Sequence, residues 1–184
     1  MQQEVESKYI IEDPIQIREK LVGHMAICTQ PERLIQWYRY DVVDSETKRL
    51  GGHVELKVEE GRVIVQFLPL DPQVSKGVEL TVSSFETAHM FLQAVGMQKR
   101  RFQEKKRETW EIDNVKIHID HWPWLDPIVI VENESADILE RLGLEDKQKT
   151  NDSIEKLYIS TYDVDPSVFM NMPELKFMKR PDWV

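Results

Sequence analysis

The sequence predicts an α+β fold built on antiparallel strands, and three observations predict it. Several short stretches alternate apolar and charged residues with the period of two that a half-buried strand requires. Two of these stretches are separated only by Glu60-Gly61, a hairpin signal. The helical signals are few and each carries its own cap, too few to supply the crossover connections of a parallel sheet.

The elements follow in chain order. Glu4-Val5-Glu6-Ser7-Lys8-Tyr9 alternates charged with less polar residues and reads as a strand. Asp13-Pro14 is an N-cap followed by the first-turn proline that a helix tolerates. After it Ile17, Leu21 and Met25 recur at fourfold spacing, which predicts a helix of about 14 residues. Val54, Leu56 and Val58 alternate with Glu55, Lys57 and Glu59, and the Glu60-Gly61 turn leads into Val63–Phe67. Val78, Leu80 and Val82 flank Glu79 and Thr81. A second helix opens at Ser83 with Glu86 as a capping box. Its apolar side is Met90, Phe91, Ala94 and Val95, and Gly96 ends it. Val115, Ile117 and Ile119 alternate with Lys116, His118 and Asp120, whereas Ile128–Val131 is apolar on both faces and ends at Glu132. A third helix runs from Ser135 through Ile138, Leu139 and Leu142 to Gly143, a fourth follows Asn151-Asp152, and Asp165-Pro166 starts a last turn or helix.

With 184 residues, 41% hydrophobic and 31% charged, the chain has the apolar material for one sizeable core and too much of it for disorder. No repeat and no Gly/Ser/Pro-rich linker divides it, so residues 1–184 read as a single domain. The 24 Lys and Arg against 33 Asp and Glu give a formal charge of −9, which argues against a nucleic-acid or anionic-membrane partner. A lone Cys28 excludes an internal disulfide and a cysteine-based zinc site, and fits a reducing compartment. No stretch approaches the roughly 20 apolar residues that cross a bilayer. A soluble cytoplasmic protein is the expectation. There is no Ser/His/Asp or Cys/His arrangement and no Gly-rich phosphate loop.

The charges of the alternating stretches pose the functional question. Successive side chains of a strand point to opposite faces, so Glu4, Glu6 and Lys8 share one. Alone, such a face is simply solvated. If the charged faces of several strands meet, carboxylates there hold a hard divalent cation through oxygen while Lys and Arg neutralise phosphates.

The rest of the chain favours the second arrangement. After Glu4-x-Glu6-x-Lys8 come the Glu55-Leu56-Lys57 strand and hairpin, Glu79 just before the second helix, Leu92–Gly96, Lys105-x-Arg107, the strand ending at Asp120, His121-Trp122-Pro123-Trp124-Leu125-Asp126-Pro127 with Glu132 soon after, and Pro173–Phe177. This ordered set resembles the CYTH family, the triphosphate tunnel metalloenzymes, nearest its class IV adenylyl cyclase-like branch. That family also includes thiamine triphosphatases and inorganic triphosphatases. The resemblance implies an eight-stranded antiparallel closed β-barrel, a tunnel, with helices packed outside. It implies Mg²⁺ or Mn²⁺ held by Glu4, Glu6, Asp120 and Glu132, a triphosphate or nucleotide gripped by Lys8, Lys57, Lys105 and Arg107, and Lys8 and Glu79 as catalytic positions. Dimers are common in that branch, so a homodimer is among the assemblies implied.

The chain departs from the family pattern at several positions. Glu55 stands where Arg-x-Arg is usual, no Lys occurs near Gln66–Leu68, Gly77 and Val78 replace a base before Glu79, Thr81 replaces an acid, and Ile130 replaces the first Glu of a Glu-x-Glu pair. Six acids (Glu4, Glu6, Glu55, Glu79, Asp120, Glu132) then face four bases (Lys8, Lys57, Lys105, Arg107), a lining of −2 that is a poor trap for a polyanion. Two functions therefore stand open: a metal-dependent phosphohydrolase or cyclase acting on a triphosphate, or a catalytically impaired tunnel protein that binds a nucleotide or other small ligand without turnover. His118 shares the inward face with Asp120 and reads first as a packed, hydrogen-bonded residue. Trp122 and Trp124 read as rim and turn packing before they read as stacking platforms. In Lys99-Arg100-Arg101 and Lys105-Lys106-Arg107, alternate residues are expected inside and in solvent.

Overall fold

Strand pairing follows the predicted alternation closely enough to give the fold its frame. The computed structural model describes residues 6–42, 52–59, 61–69 and 77–184, so Glu4 and Glu60 lie outside the described residues. The element order is β1 (Glu6–Ile10), α1 (Pro14–Gly23), β2 (Ile27–Val42), β3 (Gly52–Glu59), β4 (Arg62–Pro69), β5 (Val78–Val82), α2 (Phe85–Ala94), β6 (Met97–Ile112), β7 (Val115–His121), β8 (Ile128–Glu132), α3 (Ala136–Leu142), β9 (Gln148–Thr150), α4 (Ile154–Tyr162), α5 (Pro166–Met170) and β10 (Glu174–Leu175). The strands form one mixed-in-length, predominantly antiparallel sheet in the order β5-β4-β3-β2-β6-β7-β8-β1-β9, with β10 beside β6 in parallel. Among the described residues no pairing joins β5 to β9, so hydrogen bonds leave the sheet open, with ten strands where the resemblance implies a closed eight. The shortest two are β9 and β10, of three and two residues. No described helix is long and apolar enough to cross a membrane.

The chain divides into two compact units. Unit 1 comprises residues 1–34, 105–169 and 180–184, and unit 2 comprises residues 35–104 and 170–179. The 16-residue strands β2 and β6 contribute to both.

Unit 1 is a sheet with two different faces. Tyr9 lies opposite Val129, Val129 opposite Ile119, and Val131 opposite both Ser7 and Ile117. This apolar face packs against Ile17 and Leu21 of α1 and Ile138 and Leu142 of α3 in one buried cluster. Arg18 of α1 reaches the same face and binds the buried Glu108 carboxylate at 2.8 Å. The opposite face carries the charges described below. α1 is shorter than predicted: it ends at Gly23, and Met25, at φ 59° and 88% exposed, does not continue its apolar stripe. α3 matches its predicted caps, with Ser135 accepting from the Ile138 N–H and Gly143 in the left-handed region at φ 60°. A Cβ at Gly143 would also collide with the ammonium of Lys20, which donates to Leu142 O at 3.0 Å. Gly143→Ala is expected to destabilise the protein by about 1–2 kcal/mol in chemical denaturation.

In unit 2, Tyr40 pairs with Val54 and Tyr38 with Leu56, and these extend through Phe67 and Val65 to Val78 and Leu80. That face packs on Ala88 and Leu92 of α2. The helix is N-capped by Ser84, whose Oγ accepts from the Thr87 N–H at 3.2 Å, one residue later than predicted. The predicted apolar side faces outward: Met90, Phe91, Ala94 and Val95 are exposed, because the helix packs on the sheet through Ala88 and Leu92.

Candidate functional site

On unit 1 the register of four neighbouring strands places the site residues in rows. One row is Ile10–Ile128–Asp120–Arg107, the next Lys8–Ile130–His118–Thr109, and Glu6 lies directly opposite Glu132. Directly paired residues point to the same side, so all of these share the face opposite α1 and α3. Lys105, two residues before Arg107 on β6, joins them.

The centre of this face is Asp120, 1% exposed. Arg107 forks onto it, Nε donating to Oδ1 at 2.5 Å and Nη2 to Oδ2 at 2.7 Å, and Lys105 Nζ donates to Oδ2 at 3.1 Å. Burial pushes this carboxyl up, but the hydrogen bonds and charges of Arg107 and Lys105 outweigh it and hold Asp120 below the usual carboxylate range. The Lys105 ammonium also lies 5.5 Å from the centroid of Trp122.

A second arrangement lies beside it. His118 Nε2 meets Glu132 Oε1 at 2.9 Å and Nδ1 meets the Thr109 hydroxyl at 3.0 Å. Burial holds the imidazole below its ordinary value despite the opposing pull of Glu132. A neutral ring can donate to the Glu132 carboxylate only from Nε2, which leaves Nδ1 to accept from Thr109. Lys116 Nζ stands 3.7 Å from the other Glu132 oxygen.

One end of the face is covered. Leu157 of α4 packs on Ile128 and Ile130, with Ile10, Trp122, Leu125 and Ile154 around them. The Tyr158 hydroxyl donates to Pro123 O at 2.5 Å and the Tyr162 hydroxyl donates to Trp124 O, tying α4 to the turn after β7. The expectation of helices on the outer side therefore holds for α1 and α3 and not for α4. The reason is Ile128 and Ile130, apolar side chains on the charged face that need a cover of their own.

On unit 2, Arg39, Glu55, Gln66 and Glu79 form one row and Trp37, Lys57, Ile64 and Thr81 the next, on the side away from α2. Lys57 pairs with Glu59 at 3.3 Å, and His53 Nε2 lies 3.4 Å from Glu55. Glu79 is exposed.

No family model matches the chain, and no curated protein matches it by sequence. Solved structures do match. A protein from Vibrio parahaemolyticus, provisionally named an adenylate cyclase, aligns over 85% of this chain and 98% of its own at TM-score 0.69 and 12% identity. A Pyrococcus horikoshii protein aligns over 86% and 99% at TM-score 0.60 and 20% identity. A Hippeastrum protein, provisionally named an adenylyl cyclase and described as having a dominant triphosphatase activity, aligns over 86% and 96% at TM-score 0.57 and 9% identity. The chain shares the fold of these proteins.

Identities this low carry the fold and nothing of the activity, so the site is judged on its own residues. Of the positions that the CYTH resemblance assigns to metal, Glu4 is outside the described residues. Asp120 has both oxygens taken by bases, and Glu132 is held by His118. Among the described residues no three His, Cys, Asp or Glu side chains converge as a metal centre requires. Apart from the Glu6–Glu132 pair, the carboxylates of this set offer a divalent ion no ligands as they stand. Of the positions assigned to phosphate, Lys8, Lys105 and Arg107 share the unit 1 face, while Lys57 lies on unit 2. Glu79 also belongs to unit 2. Two contributors escaped the sequence reading: Arg39, directly opposite Glu55, and Thr109, which fixes His118. Both are cross-strand partners, visible only once register is known.

Proposed function

We propose that the chain binds a small polyanion, a nucleotide or a tripolyphosphate, on the charged face of unit 1, with Lys8, Lys105 and Arg107 as the phosphate-holding side chains. One observation supports this above the others: strand register puts three bases on the single sheet face that α1 and α3 leave uncovered. Lys8 on β1 sits three strands, roughly 14 Å, across the sheet from Lys105 and Arg107 on β6. Arg107 supplies a planar fork suited to phosphate oxygens, and Lys105 and Lys8 supply point charges. No step here requires a metal. Isothermal titration with tripolyphosphate, ATP and thiamine triphosphate in EDTA tests the reading. Lys8→Met is expected to weaken binding about tenfold, the worth of one charge-assisted contact. Equal affinity in the wild type, Lys8→Met and Arg107→Met would reject it.

Metal-dependent hydrolysis or cyclisation of a triphosphate is the second reading, and the Glu6–Glu132 pair favours it. Two carboxylates directly opposite on one face repel, and a shared cation relieves them. Release of phosphate, pyrophosphate or cyclic AMP with Mg²⁺ or Mn²⁺, abolished by Glu6→Ala, would establish that reading.

A further inference from the structure

We propose that Asp120 is a built-in counter-anion for the phosphate-holding bases: its carboxylate occupies on Arg107 and Lys105 the place of a ligand phosphate, and a polyanion binds by displacing it. The inference rests on the anion-binding reading above and specifies how that site is controlled.

The geometry points this way in several respects. Two parallel N–H···O contacts from one guanidinium, at 2.5 and 2.7 Å, are how Arg holds either a carboxylate or a phosphate. Arg107 and Asp120 are directly paired residues of β6 and β7, so register sets their side chains next to each other on one face. With Lys105 added, three nitrogens within 3.1 Å use the carboxylate oxygens that a cation would need. Exposure is graded in the sense that displacement requires. The Asp120 side chain is 2% exposed, whereas those of Lys105 and Arg107 are 16% and 23% exposed. A ligand arriving from solvent meets the bases first.

Charge then sets the direction of the effect. Lys105 and Arg107 carry +2, which Asp120 reduces to +1. Removing a metal ligand weakens metal-assisted binding of a polyanion, but removing a competing anion strengthens binding without metal. The two roles of one side chain thus predict opposite signs.

The experiment is titration of wild type and Asp120→Asn with tripolyphosphate in EDTA, together with Mn²⁺ binding followed by electron paramagnetic resonance. Asp120→Asn is expected to bind tripolyphosphate at least about tenfold more tightly than wild type. Unchanged or weaker binding by a folded Asp120→Asn, or loss in that variant of Mn²⁺ binding that the wild type possesses, overturns the proposal. Tripolyphosphate binding to wild type without a gain in the variant removes only this inference. No binding to either protein removes the anion-binding reading with it. Should Asp120→Asn fail to fold, Arg107→Met decides the matter through Mn²⁺ alone. Freed from its fork, Asp120 is expected to raise Mn²⁺ affinity above wild type, and no rise overturns the proposal.

Discussion

Replacing Arg107 by methionine is expected to lower the unfolding free energy by about 3 kcal/mol near neutral pH. Methionine keeps most of the aliphatic stem, so the loss is the guanidinium. What it leaves behind is Asp120, 1% exposed, with Lys105 Nζ at 3.1 Å as its remaining charged contact in the triad. Removing one partner of a buried ion pair costs about 3–5 kcal/mol, because the survivor keeps its desolvation penalty without its compensation. The lower end applies, since Lys105 stays and Arg107 is itself 23% exposed.

The same substitution has a pH signature. In the wild type Asp120 lies below the usual carboxylate value of 3.8, so folding favours its ionised form. The stability this contributes is fully present above the unfolded carboxyl range and is lost as pH falls through the depressed folded value. In Arg107→Met the burial penalty persists without the fork, which raises the carboxyl and lets it protonate earlier on acidification. The wild-type advantage should therefore be full near pH 7, narrow first as the variant protonates, and vanish once both carboxyls are neutral. Urea denaturation at a series of pH values reads this directly. A gap that stays constant down to strongly acid pH would mean that Arg107 stabilises by packing alone.

Why part of this was legible in the sequence follows from the physics of each strand. β7 alternates cleanly because one side meets α1 and α3 and the other bears His118 and Asp120, so Val115, Ile117 and Ile119 announce it. Ile128–Val131 reads as apolar on both sides because it is covered on both: Val129 and Val131 by α1 and α3, Ile128 and Ile130 by α4. β2 gave no such signal. Its buried side chains change parity from Ile35 and Trp37 to Tyr40, so a period of two never settles. Buried Arg101, Glu104 and Glu108 hide β6 in the same way, because charged residues hold core positions through partners such as Arg18 for Glu108 and Gln36 for Glu104. Asp120 and Arg107 were both visible as candidates, but for opposite ligands. Only register shows them facing each other, and register is a property of pairing between distant segments.

Leu157→Ala is expected to destabilise the protein by about 3 kcal/mol. Leu157 is 6% exposed and is the α4 side chain seated on the buried Ile128 and Ile130. Leucine-to-alanine changes in cores cost about 2–5 kcal/mol according to how far the site can collapse. Collapse is limited here, because the Tyr158 and Tyr162 hydroxyls anchor α4 to Pro123 O and Trp124 O and hold the helix axis in place. Water offsets part of the cost. A cavity of about 150 Å³ already adjoins Leu157, and Asp126, Gln148, Ser160 and Thr161 in its wall can hydrogen-bond solvent that enters the enlarged space. These two effects put the expectation near the middle of the range. Lys156→Ala on the outer side of the same helix, where Lys156 is 73% exposed and pairs with Asp152 at 3.8 Å, should change stability by less than about 0.5 kcal/mol. In urea the Leu157→Ala midpoint should fall at unchanged slope while that of Lys156→Ala stays in place. If the two variants lose equally little, α4 does not cover Ile128 and Ile130, and the charged face of unit 1 extends over the row that Ile130 occupies.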